Sequence, residues 1–164
     1  MLIYLWRHGQ AEKDSLTGKD DDRVLSPEGR NEIIEVADRL FGNEGTKKPE
    51  KIFTSPLARA RESAEMIQGY LACAGGLETL PELRSGTGTD ALIAAVRKSA
   101  GSLSSFVLVG HMPDLGQLAD RFLGHPDQRI SLRPAGTLRI ELAGLQEPFG
   151  GKLLLALNPE EILE

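Results

Sequence analysis

The sequence runs to 164 residues, a length typical of one domain and sufficient to bury a core without a metal or disulfide staple. Charged residues make up 26% and the formal charge is −5, which argues against an extended basic footprint on DNA, RNA or an anionic membrane while leaving room for a small positive pocket. Five Phe, two Tyr and one Trp are too few for a base-stacking surface, and a single cysteine, Cys73, allows neither an intrachain disulfide nor a Cys-based zinc site.

The chain opens on Met1-Leu2-Ile3-Tyr4-Leu5-Trp6, an apolar run that stops at Arg7. Six residues are too few for a secretory leader or a membrane span, so a cytoplasmic protein is expected. Leu2–Trp6 reads as a buried strand. Gln10 to Arg23 is polar and dense in Asp and Lys, and reads as a long loop of the kind that carries function. Ser26-Pro27-Glu28 has the order of an N-cap, a first helical proline and a first-turn acid. Ile33, Val36, Ala37, Leu40 and Phe41 then recur at helical spacing until Gly42. Lys51–Thr54 is a second strand. A second helix carries Leu57, Ala60, Ala64, Ile67 and Leu71 on one face. A third helix is expected from Thr89 to Ala100, a strand at Phe106–Val109, and a short helix from Asp114 with Leu115, Leu118, Ala119 and Phe122 inward. Leu138–Leu142 and Leu153–Leu157 complete the strands as an antiparallel edge hairpin. Strands alternating with helices predict an α/β, three-layer sandwich with a mainly parallel central sheet, formed as one domain over residues 1–164.

Ligands of open α/β sheets gather beyond the carboxyl ends of the strands. Three strand ends there carry Arg7-His8-Gly9, Ser55-Pro56-Leu57-Ala58-Arg59-Ala60 and Gly110-His111-Met112-Pro113. Any one Arg or His after a strand is ordinarily a surface residue, and Arg59 alone could pair with Glu62 or Glu65. Two Arg and two His together are harder to dismiss. A metal site built on His8 and His111 would set a cation beside two permanent guanidinium charges, which repel it. The same four residues suit an oxyanion, because the guanidinium fork matches phosphate oxygens.

These three motifs, in this order and with the first placed directly after an N-terminal strand, resemble the histidine phosphatase superfamily, the phosphoglycerate mutase-like family. Asp22…Leu25-Ser26…Gly29 resembles the stretch that leads into the first helix of that family. The small size, Leu80-Pro81-Glu82-Leu83 and Gly110-His111-Met112-Pro113 look most like the SixA-type phosphohistidine phosphatases.

The resemblance implies His8 as the nucleophile that forms a phosphohistidine intermediate, with a tautomer fixed by a hydrogen bond from its other ring nitrogen. It implies Arg7, Arg59 and His111 as the groups that grip the phosphoryl oxygens, guanidinium and imidazolium standing where a metal would otherwise stand; no cofactor and no metal are expected. Glu82 occupies about the position of the family's general acid, but a Glu at a strand–loop junction without a catalytic part fits equally well. Asp14 and Asp20-Asp21-Asp22 are further acid candidates, though a solvated acidic loop is the simpler account. Arg23 is expected at the pocket rim or paired with its acidic neighbours, the Ser55 hydroxyl is expected to hold its turn, and Arg61 and His125 are read as surface residues. The partner implied is a phosphorylated protein, such as a histidine phosphotransfer protein, or a small phosphorylated substrate. A small-molecule phosphomonoesterase or mutase and a non-catalytic phosphate-binding module are the competing readings. The 15–20 or so residues between the second and third strands leave no room for the insertion that covers the mutase pocket, so a shallow, open site without a lid is expected.

Overall fold

A computed structural model of the protein describes residues 1–125 and 130–162. Six strands, β1 (Leu2–Arg7), β2 (Lys51–Thr54), β3 (Leu77–Thr79), β4 (Ser105–Gly110), β5 (Thr137–Glu141) and β6 (Lys152–Leu157), form one sheet in the order β3-β2-β4-β1-β5-β6. The first four run parallel, and β5 and β6 pair antiparallel at one edge. The mainly parallel sheet and the edge hairpin expected from the apolar runs are therefore present. β3 is the strand that those runs miss, because Leu77, Glu78 and Thr79 lie on an edge and only half-bury one side chain.

The period-2 alternation of strand side chains sorts the core into two layers. Tyr4, Trp6, Ile52, Val107 and Val109 point to one face and pack against α1 (Pro27–Phe41) and α2 (Ala58–Leu71). Ile3, Leu5, Phe53, Phe106 and Leu108 point to the other and pack against α3 (Thr89–Ala100) and α4 (Asp114–Leu123). This is the three-layer α/β sandwich. Helix α1 begins as its sequence dictates: Ser26 is extended, its Oγ accepts the Gly29 N–H at 3.1 Å, and Pro27 occupies the first turn. Among the described residues no helix is long and apolar enough to cross a membrane.

The parallel strands β2, β4 and β1 are adjacent, so their carboxyl ends open at one rim of the sheet. The three sequence motifs all lie just past that rim.

Candidate active site

The rim is tied together by backbone. His8 N–H donates to the Gly110 carbonyl at 3.1 Å and Ser55 N–H to the Val109 carbonyl at 3.0 Å, which joins the three motifs to the end of β4. The His8 carbonyl in turn accepts from Ala135 N–H at 2.9 Å. Ala135 is fully buried with φ of +66°, a conformation costly for a residue with a Cβ. Gly9 is required by packing: a Cβ there would stand 2.8 Å from the Gly29 carbonyl oxygen. A Cβ on Gly29 would stand 2.1 Å from the Gln10 carbonyl oxygen, and Ser26 N–H donates to that same carbonyl at 2.9 Å. The entry to α1 and the chain after His8 thus press backbone to backbone. Gly9 N–H donates to Ser63 Oγ at 3.0 Å, and that hydroxyl donates to the Arg59 carbonyl at 2.7 Å, which locks the α2 turn to the histidine loop.

The His8 and His111 rings face each other with centroids 5.1 Å apart and planes inclined by 56°. His8 Nδ1 lies 2.7 Å from the Gly9 carbonyl oxygen. A carbonyl only accepts, so Nδ1 carries the proton and the neutral ring keeps its lone pair on Nε2. Burial pushes the His8 pKa down to about 3; the Gly9 contact opposes this, while His111, Arg59 and Arg7 add to it. His111 is pushed down to about 4, by burial first and then by Arg59, with Asp114 opposing. Both rings are neutral at pH 7. The imidazolium expected at position 111 is therefore absent in the free protein: the ring sits 3% exposed among cations that disfavour a further charge.

The guanidinium groups supply the positive charge. Arg7 Nη1 donates to the Leu132 carbonyl at 2.7 Å, and its Nε is buried with no partner among the described residues. Burial, and then the charge of Arg133, lower its pKa, but a guanidinium stays protonated. Arg59 is 8% exposed and points toward the loop after β1: Nη1 donates to the Asp20 carbonyl at 3.0 Å and Nη2 to Asp20 Oδ2 at 3.3 Å.

That contact corrects two expectations. The acidic stretch is not simply solvated, and the rim is not uncovered. Asp20–Asp22 forms a 3₁₀ turn, and the loop that carries it folds back as a strap. Ala11 bridges Leu25, Glu12 N–H donates to the Val24 carbonyl at 2.8 Å, and Leu25 N–H donates to Glu62 Oε2 at 3.0 Å. Asp21 pairs with Arg84 at 2.5 Å, and Arg23 Nε reaches Asp20 Oδ1 at 2.8 Å. Electrostatics favours the fold-back, since the Asp20-Asp21-Asp22 run meets the guanidinium groups of Arg59 and Arg84. The nearby Arg59 charge is the leading reason that the Asp20 pKa is lowered. Arg59 therefore pairs with Asp20, not with Glu62 or Glu65.

Glu82 lies half-buried on the 3₁₀ turn Pro81–Leu83 after β3. Leu83 of that turn packs close to Gly110, which sets the turn beside the end of β4. Glu82 makes no hydrogen bond or ion pair among the described residues. Arg61 pairs with Glu65 at 3.9 Å on the far side of α2, and His125 is exposed, as expected. Ala135, Ser63 and the strap contacts carry no sequence motif that announces them, whereas Gly29 closes the Asp22…Leu25-Ser26…Gly29 stretch. A cleft of about 470 Å³ starts one residue past His111, lined by Met112, Pro113, Gly116, Gln117, Asp120 and Ile130. None of Arg7, His8 and Arg59 lines it. Among the described residues no three His, Cys, Asp or Glu side chains stand close enough to hold a metal ion.

Residues 3–90 match the model of the histidine phosphatase superfamily, branch 1, more than half of the chain. The chain belongs to this superfamily. An uncharacterized protein of Picosynechococcus is 32% identical over 171 residues, spanning 99% of both chains. The structure is similar to that of the protein histidine phosphatase SixA complexed with tungstate, with a TM-score of 0.84 and 22% identity over 99% of each chain. It is also similar to the mycobacterial glucosyl-3-phosphoglycerate phosphatase complexed with VO3, with a TM-score of 0.68 and 17% identity over 96% of this chain and 98% of that one. At these identities the two structures establish a shared fold. Superfamily membership supports a phosphatase.

Proposed function

We propose that the protein is a phosphohistidine phosphatase that removes a phosphoryl group from another protein through a phosphorylated His8. The observation that carries this reading is the pair of neutral imidazoles 5.1 Å apart between two arginines. A neutral His8, its Nδ1 proton committed to Gly9, presents the Nε2 lone pair. That atom attacks phosphorus in line as the bond to the leaving group breaks, and the phosphoryl group passes to His8. Water then attacks the phosphohistidine, releasing inorganic phosphate and restoring the ring; the covalent step divides one displacement into two. Arg7, Arg59 and His111 hold the three phosphoryl oxygens, and positioning together with charge supplies most of the rate. Glu82 is the proton donor for a leaving group that needs one; a nitrogen leaving group is protonated readily without it.

Two features favour a protein-borne phosphoryl group. Only a three-residue turn, α2 and a five-residue turn separate β2 from β3, so among the described residues the cover over the site is the strap, held by ion pairs. The likeness to SixA spans the whole chain. The likeness to a phosphatase of a small sugar phosphate is the basis for the rival reading. A side-by-side measurement of kcat/KM on phosphohistidine protein, an aryl phosphate and bisphosphoglycerate decides between them. The highest value is expected for the phosphoprotein; the highest value for bisphosphoglycerate would assign a small-molecule enzyme instead.

A further inference from the structure

The hydroxyl of Ser55 is fully buried and lies 2.7 Å from His111 Nε2. It also accepts the Leu57 N–H at 3.3 Å, so it holds its own turn as expected and does something more. A serine hydroxyl has one proton to give. If His111 Nε2–H donated to Ser55, that proton would be left buried with no acceptor among the described residues, a state disfavoured about fivefold to a hundredfold. If Ser55 donates to Nε2, the buried hydroxyl is satisfied.

We infer that Ser55 is a positioning residue that holds His111 in the Nδ1–H tautomer, so that a neutral ring offers an N–H donor to the phosphoryl group. The inference rests on the reading of His111 as a phosphoryl ligand. It resolves how a ring without charge can serve there: a neutral N–H still donates to an anionic oxygen. The two histidines then carry the same tautomer for opposite purposes. His8 ties its Nδ1 proton to the backbone and keeps a free lone pair on Nε2. His111 ties its Nε2 lone pair to Ser55 and keeps a free proton on Nδ1.

The test is a long-range ¹H–¹⁵N correlation spectrum of the imidazole rings in the substrate-free protein at pH 7, with His111 assigned through His111→Asn. The wild type is expected to carry the His111 proton on Nδ1. Ser55→Ala is expected to lose that preference, to weaken inhibition by inorganic phosphate and to lower kcat about 10- to 100-fold, and Ser55→Thr to restore part of each. A wild-type proton on Nε2, or an unchanged tautomer in Ser55→Ala, overturns the inference; if Ser55→Ala fails to fold, the wild-type spectrum alone decides. The spectrum needs no substrate, so a chain with the expected tautomer that neither binds phosphate nor turns over overturns the phosphatase reading separately.

Discussion

The Arg59 guanidinium is held by Asp20 through both a backbone carbonyl and a carboxylate oxygen, at 3.0 and 3.3 Å. Two of the five guanidinium N–H donors are thus turned to an internal anion, and under the proposed function a phosphoryl group competes with it for Arg59. Asp20→Asn keeps the loop's shape and removes the competing charge. Inhibition by inorganic phosphate should tighten about two- to fivefold, the range of a partly exposed ion pair. An unchanged or weaker inhibition constant would show that the strap does not compete.

The contact between α1 and the histidine loop makes a sharp prediction about glycines. A Cβ on Gly29 meets backbone atoms of Gln10, which cannot swing aside. Gly29→Ala should destabilise the fold by about 1–3 kcal/mol, lowering Tm by about 2–4 °C for each kcal/mol. Gly69, exposed on α2 with nothing within 4 Å of its Cβ position, is the control: Gly69→Ala should stabilise by about 0.5–1 kcal/mol. Thermal melts of both variants check the pair; equal effects would contradict the packing described.

Both site histidines have depressed pKa values, about 3 for His8 and about 4 for His111. In the unfolded chain each would titrate near 6.5. Between those values the unfolded state binds protons that the folded state refuses, so stability falls as pH drops below about 6.5. Above that pH the histidines contribute no slope. Denaturant unfolding across pH 4 to 8 should show this decline, and the His8→Asn variant should show a shallower one. A wild-type curve flat from pH 6.5 to 5 would mean that the two rings are not held neutral.

Much of this was readable from residues in order. Ser26-Pro27 marks the start of α1, Thr89 and Ala100 bound α3 as expected, and the strand ends deliver Arg7, His8, Arg59 and His111 to one rim. These follow from short-range chemistry: caps, periodicity and apolar runs. What was not readable depends on contacts distant in sequence. Asp20 and Arg59 are 39 positions apart, and nothing in either neighbourhood names the other. The neutrality of His111 comes from burial, which only the packed structure creates. Ala135 has no signal at all, since alanine ordinarily avoids the positive φ it adopts under His8. β3 escaped the apolar-run pattern because an exposed edge strand of three residues needs no apolar run.

Under the proposed function His8 is phosphorylated during turnover. Brief reaction of the full chain with a ³²P-labelled phosphohistidine protein or aryl phosphate, followed by a denaturing quench, tests it directly. The wild type should retain label that is acid-labile and base-stable, as a phosphohistidine is, while His8→Ala should retain none and lose turnover yet still bind phosphate. Label that survives acid and is lost in base, or full activity in His8→Ala, would contradict the account.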